Sequence, residues 1–177
     1  LEFRRVLFRS GKTVKILLEF ESLQKRVTVK TGISNVSIEK ASTALSEVSG
    51  KSFQAIVANA ENKWEGELNK IEINTNDKAF ATKFYTALYR TALAPVIYSD
   101  KDGEYKNQQG QKHKMDGDKA RYTIFSLWDT FRALNPLFTI TQPQLVPDLI
   151  NSMMQFYKEN GLLPVWDISS WEANTMT

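Results

Sequence analysis

A short segment in the middle of the chain combines a flat aromatic ring, a carboxylate and a guanidinium. Trp128, Asp129 and Arg132 fall within five residues of one another, in a segment dense in aromatic side chains. This combination suits a polyhydroxylated ligand such as a sugar, because the charged groups can exchange hydrogen bonds with hydroxyls while the ring covers an apolar face. The spacing alone favours a plainer interpretation, a surface ion pair between Asp129 and Arg132 on a core helix.

The segment that carries these residues has the apolar periodicity of a helix. Apolar side chains recur every three or four residues, at Ile124, Leu127, Trp128, Phe131 and Leu134. This pattern predicts an amphipathic helix with one apolar face. Pro136 lacks an amide proton and disfavours helical geometry at Asn135, so we expect the helix to end there.

Composition excludes several classes of protein. The chain has 177 residues, 42% of them hydrophobic, which is enough for a core. Its net charge of +3 is too small to indicate a nucleic-acid partner. The absence of cysteine excludes disulfide scaffolds and Cys-based metal sites, and one histidine, His113, cannot supply a His-rich metal site. No apolar run approaches the roughly 20 residues of a membrane span.

Both ends of the sequence indicate an internal piece of a longer polypeptide. Residues 1–10 (LEFRRVLFRS) resemble translated sequencing-adapter sequence, so we set them aside as non-native. Alternating β-branched residues in 12–20 and 25–38 predict strands that close a sheet begun earlier in the chain.

Helical periodicity begins near Glu39. It predicts a short helix to Gly50, a longer helix that follows Ser52, and further helices over 78–94 and 143–160. Residues 99–121 contain three glycines and predict one or two hairpins, whereas 162–177 have the pattern of a loop. Asp100, Asp102 and Glu104 lack the spacing of an EF-hand, so a solvated turn is favoured over a calcium loop.

Four motifs, in this order, resemble a known family. They are residues 84–89 (FYTALY) followed by Pro95, 99–105 (SDKDGEY), 122–132 (YTIFSLWDTFR) and 163–167 (LPVWD). Together they are similar to the start of the catalytic domain of glycoside hydrolase family 92, and the similarity runs from about residue 25 to 177. Members of that family are calcium-dependent, inverting exo-α-mannosidases, largely from bacteria.

The resemblance implies a mixed fold. Residues 11–38 would be the C-terminal strands of an N-terminal β-sandwich, 39–75 a helical linker, and 76–177 the first helices of an (α/α)6 barrel, cut short. The change of period near Glu39 agrees with this division. The resemblance also implies mannose-containing glycans as ligands, an α-1,2 linkage in N-glycans or mannans, and a periplasmic or secreted location.

The resemblance places the catalytic acid, the catalytic base and the calcium ligands beyond Thr177. This chain should then hold no catalytic or metal-binding residue and no activity of its own. Its candidate substrate contacts are Trp128, Asp129, Arg132, Trp166 and Glu172. The family's Asn-Glu-Thr motif is altered here to Trp171-Glu172-Ala173, which leaves the role of Glu172 open.

Two other functions remain possible from the sequence. One is a non-catalytic carbohydrate-binding protein with a helical toroid, and the other is an interaction module that uses the mixed-charge loop 99–121. An acid and a base carboxylate in the remainder of the polypeptide would distinguish the enzyme from the binding protein.

Overall fold

The computed structural model describes residues 28–117 and 119–173. The chain divides into two compact units at Lys30, and every element named below lies in the second unit. Residues 28–37 are not strand, so the strand predicted over 25–38 is wrong for its described part. The strand predicted over 12–20 lies outside the described residues.

Three helices follow in the first half of this unit, and short side chains cap each of them. Helix α1 (Ile38–Ala44) continues into a 3-10 turn, α2 spans Phe53–Leu68 and α3 spans Lys78–Thr91. The hydroxyl oxygens of Ser37 and Ser52 accept hydrogen bonds from the amides of Lys40 and Ala55, at 3.2 and 3.1 Å. These caps satisfy amides that a helix leaves without an internal partner. The predicted helices are confirmed, although the assignment of α1 and α2 to a linker stays a prediction.

The loop 99–121 holds a hairpin, as predicted. Strands β2 (Glu104–Lys106) and β3 (Lys112–Lys114) pair antiparallel, with Tyr105 opposite His113. Before them, β1 (Val96–Ile97) pairs with β4 (Tyr122–Thr123). The hairpin therefore projects between two strands that are themselves paired.

The prediction of a single helix that ends before Pro136 is wrong. The segment starts with β4, continues into β5 (Phe125–Ser126) and the short helix α4 (Leu127–Thr130), and then begins α5 (Leu134–Thr141). Pro136 lies inside the first turn of α5, where its missing amide proton would have had no helical partner. The proline therefore lies at the beginning of a helix, whereas the sequence predicted that it would end one.

The tail predicted as loop also contains strands. Helix α6 (Val146–Asn160) ends at Gly161, which adopts the left-handed conformation at a φ of 80°. After it, β6 (Trp166–Ile168) and β7 (Trp171–Glu172) form an antiparallel hairpin. Strand β6 also pairs with β5, which makes a three-stranded sheet ordered β5-β6-β7.

A small apolar core joins this sheet to the last two helices. Phe125, Phe138 and Leu149 are buried together, and partly buried apolar residues surround them: Tyr122, Leu127, Leu134, Leu145, Val146 and Met153. Met153 packs against this core, whereas Met154, the next residue of α6, lies exposed. No helix in the described part of the chain is both long and apolar enough to cross a membrane.

Candidate functional site

A cavity of about 800 Å³ opens beside the core. Strand β5 and helices α4, α5 and α6 supply most of its wall, and Trp166 adds a side chain from β6. The lining is largely apolar; its hydroxyl, amide and carboxylate side chains belong to Ser126, Asp129, Thr130, Asn135 and Thr139. A cavity that combines apolar walls with a few polar groups is the usual form of a small-molecule site.

Asp129 is the carboxylate on this wall. It lies in α4, and the Ser126 hydroxyl donates a hydrogen bond to its Oδ2 atom. Ser126 is close because β5 runs directly into α4, so the two residues lie at the junction of a strand and a helix. One carboxylate oxygen is thereby held by the protein, while the residue as a whole is exposed.

The predicted ion pair between Asp129 and Arg132 is wrong. Ser126 is the partner of the carboxylate, and the Arg132 guanidinium carbon lies 5.6 Å from the centre of the Phe131 ring. That distance is typical of a cation–π contact. The short helix α4 ends at Thr130, so the regular spacing that would bring residues 129 and 132 to one helix face is interrupted.

Trp128 and Arg132 do not join Asp129 at the cavity. The Trp128 side chain is 54% exposed, and neither of these residues lines the cavity within the described part of the chain. Trp166 does line it, although it is distant in sequence, because β6 pairs with β5 and sets Trp166 opposite Ser126. The structure therefore brings together two of the predicted substrate contacts, Asp129 and Trp166.

Glu172 contacts the backbone of the neighbouring strand. Its Oε2 atom accepts from the Val165 amide and its Oε1 atom from the Trp166 amide, both at 2.9 Å. Charge-assisted bonds of this kind are stronger than neutral ones. Both oxygens are thus engaged with the segment that carries Trp166, a relationship that the altered motif did not reveal.

A buried ion pair lies on the other side of β6. Asp167 is fully buried, and its Oδ2 atom lies 3.1 Å from Nη2 of Arg121, which is also fully buried. Burial raises the pKa of the Asp167 carboxyl above its ordinary value, against the opposing attraction of Arg121. Sequence reasoning missed this pair, although Asp167 belongs to the motif 163–167 and Arg121 immediately precedes the motif 122–132.

The same carboxylate fixes the turn between β6 and β7. Asp167 Oδ1 accepts from the Ser170 amide at 2.9 Å and from the Thr123 hydroxyl at 3.2 Å. The Thr123 hydroxyl oxygen in turn accepts from the Ser169 amide at 2.6 Å. Ser169 and Ser170 both have positive φ angles, of 55° and 67°, as a type I′ hairpin turn requires. This network holds in place the hairpin that carries Trp166 and Glu172.

The described residues lack a cluster of carboxylate and imidazole side chains suited to a metal ion. Among them, no three His, Asp or Glu side chains come together in an arrangement that could hold a metal ion.

Solved structures of similar fold identify the class of protein. Two structures of the α-mannosidase BT3965 from Bacteroides thetaiotaomicron, one in complex with mannoimidazole, are 36% identical to this chain with a TM-score of 0.76, over 81% of this chain and 19% of the relative. The inverting mannosidase BT2199 from Bacteroides thetaiotaomicron VPI-5482 is 31% identical with a TM-score of 0.62, over 75% and 18%. No curated protein matches the chain.

These likenesses define the chain as part of a glycosidase. Residues 40–177 match the family model of the glycosyl hydrolase family 92 catalytic domain. The chain belongs to glycoside hydrolase family 92. It spans about a fifth of the length of the solved relatives.

Proposed function

We propose that the polypeptide carrying this chain removes terminal α-linked mannose from glycans. The observation that carries this proposal is the placement of Asp129 and Trp166 on the wall of one cavity, in a chain of this family. Mannoimidazole, the ligand in one structure of BT3965, supports a mannose-type ligand.

We assign these two residues separate tasks in binding the sugar. The oxygen of Asp129 that is not held by Ser126 would accept hydrogen bonds from sugar hydroxyls. The Trp166 ring would cover an apolar face of the sugar.

The hydrolysis we propose is inverting. One carboxylic acid protonates the leaving oxygen, a second carboxylate activates a water, and the two lie roughly 6.5–9.5 Å apart to admit that water. Asp129 is the one carboxylate on the cavity wall among the described residues, and it is assigned to binding. We therefore propose that both catalytic carboxylates, and the ligands of a calcium ion, lie elsewhere in the longer polypeptide.

The finer assignments complete the proposal. They are specificity for α-1,2 linkages, a bacterial source, a periplasmic or secreted location, and an architecture in which a β-sandwich precedes the helices and residues 76–177 begin an (α/α)6 barrel. Similarity to an inverting mannosidase, at 31% identity over 75% of this chain, supports the chemistry.

An activity assay on two samples tests this function. With an aryl α-mannoside, the intact polypeptide should release mannose that NMR detects first as the β-anomer, and a chelator should abolish turnover. The 177-residue chain should show no turnover. Turnover by this chain alone would place the acid and base within it, and binding of mannosides by the intact polypeptide without hydrolysis would favour a carbohydrate-binding protein.

A further inference from the structure

We propose that Glu172 is a positioning residue that fixes Trp166 and, through Ser126, Asp129 in the cavity wall. As an assignment to a sugar site, this inference rests on the proposed function. The positioning itself is a property of the fold and can be measured without any sugar.

The first step is the contact between Glu172 and the backbone of β6. Its two carboxylate oxygens accept from two consecutive amides, those of Val165 and Trp166. The amide of Ala173 also donates to the Trp166 carbonyl at 2.8 Å. Residues 172 and 173 therefore hold both the amide and the carbonyl of Trp166, which fixes the direction in which its side chain leaves the strand.

The second step leads from Trp166 to Asp129. Trp166 is the cross-strand partner of Ser126, and the Leu127 amide donates to the Val165 carbonyl at 3.2 Å. The Ser126 hydroxyl then donates to the Asp129 carboxylate. The backbone held by Glu172 on one side is thus bonded on its other side to the segment that orients Asp129.

The contact depends on a carboxylate with two acceptor oxygens. A glutamine at this position has the same shape but only one acceptor, and its amide group would present N–H donors to a backbone N–H. Glu172→Gln should therefore break one of the two bonds and set donors against each other. A direct contact between Glu172 and the sugar, the prediction from sequence, would compete with bonds that already use both oxygens.

Fluorine NMR of the 177-residue chain labelled with 5-fluorotryptophan tests the inference. The four tryptophan resonances are assigned from four single Trp→Phe variants. Glu172→Gln should shift the Trp166 resonance by more than its line width and speed hydrogen exchange of the Val165 and Trp166 amides by about tenfold or more. The Trp64 resonance, which reports on α2, should stay in place. The matched control Glu61→Gln changes an exposed carboxylate on α2 and should leave the Trp166 resonance in place.

A measurement on the unmodified chain covers the case in which Glu172→Gln fails to fold, which loss of the folded Trp64 signal would reveal. Scalar couplings across the hydrogen bonds should join the Glu172 carboxyl carbon to the amide nitrogens of Val165 and Trp166. Absence of these couplings, or an unchanged Trp166 resonance in a folded Glu172→Gln variant, overturns the proposal.

Addition of methyl α-mannoside separates this inference from the proposed function. If Glu172→Gln leaves Trp166 unchanged yet abolishes a response to the sugar, Glu172 is a direct contact and the positioning role is wrong. If the variant shifts Trp166 while the unmodified chain shows no response to the sugar, the positioning role stands and the assignment of this cavity to mannose fails.

Discussion

Arg121 and Asp167 pair in the interior of the protein, with no solvent exposure of either side chain and 3.1 Å between Nη2 and Oδ2. The Arg121 side chain also donates from Nη1 to the Tyr122 carbonyl and lies 5.8 Å from the centre of the Tyr105 ring. Asp167 meanwhile holds the turn between β6 and β7. The pair therefore joins the loop before β4 to the hairpin that carries Trp166.

Breaking this pair should destabilise the fold strongly. Asp167→Ala leaves the guanidinium buried without its counter-charge, and the expected loss is about 3–5 kcal/mol of unfolding free energy. Urea denaturation measures it. The matched control Arg132→Met removes an exposed arginine that pairs with no carboxylate among the described residues, and it should change stability by no more than about 0.5 kcal/mol.

The double variant Arg121→Met with Asp167→Leu distinguishes a costly buried charge from general loss of packing. It removes both charges, so it should cost less than the sum of the two single changes. Additive losses would mean that the two side chains contribute independently, contrary to the contact described here.

Tyr105 should make the stability depend on pH above about 10. The side chain is fully buried and its hydroxyl donates to the Glu159 carboxylate. Burial and this hydrogen bond raise the pKa of Tyr105 above its ordinary value. In the unfolded chain the phenol loses its proton near pH 10, while the folded chain keeps it. The stabilisation that Tyr105 contributes is therefore complete below about pH 10 and is lost as the pH rises towards the folded pKa. Over that range the unfolding free energy should fall by at most about 1.4 kcal/mol per pH unit.

Tyr105→Phe removes this titration. The variant should be less stable at neutral pH because Glu159 keeps Gln155 but loses Tyr105 as a hydrogen-bond donor. Its unfolding free energy should then fall less steeply than that of the unmodified chain between about pH 9 and pH 11. Equal slopes in the two proteins, measured by urea denaturation at each pH, would show that Tyr105 is not the group responsible.

Local sequence signals sufficed to predict α1, α2, α3 and α6. Ser52 and Gly161 lie where α2 begins and where α6 ends, and each acts on backbone groups within a few residues of itself. The prediction of the strands failed because their formation does not depend on local signals. Those in 122–126 and 166–172 are two or three residues long, too short for a visible period, and β5 pairs with a segment far away in the sequence.

The same distinction explains what was predicted of the site. Asp129 and Trp166 were found as residue types with suitable chemistry, and both line the cavity. Their meeting depends on strand pairing, and so does the position of Glu172 against the amide of Trp166. Spacing along the sequence contains no information about such long-range pairs. It predicted instead a contact between Asp129 and Arg132 that the end of α4 prevents.

Ile124 gives a test of backbone strain beside the cavity. Its φ of 65° is left-handed, a conformation that costs a side chain with a Cβ atom about 1–2 kcal/mol. Ile124→Gly should therefore be more stable than Ile124→Ala by about 1 kcal/mol, because both variants delete the branched side chain and only glycine relieves the strain.

The control for this comparison is Ile140, which is 79% exposed within α5. There the order should reverse, with Ile140→Gly less stable than Ile140→Ala by roughly 0.5–1 kcal/mol, because glycine is a poor helix former. Thermal and urea denaturation of the four variants provide the measurement. If the alanine variant is more stable than the glycine variant at both sites, residue 124 is not held in the left-handed region in solution.

Asp129→Asn should separate binding from stability in the intact polypeptide. The substitution keeps an oxygen that can accept from Ser126, and the residue is exposed, so the unfolding free energy should change by less than about 1 kcal/mol. If Asp129 binds a sugar hydroxyl more tightly in the transition state, loss of its charge should lower kcat/KM by on the order of 10- to 1000-fold, or about 1.4–4 kcal/mol.

Asp116→Asn, which changes an exposed carboxylate outside the cavity wall, should leave kcat/KM and the melting temperature unaltered. Near-normal kinetics for Asp129→Asn, whatever its melting temperature, would remove Asp129 from the site, whereas a loss of several kcal/mol in stability would make it a structural residue.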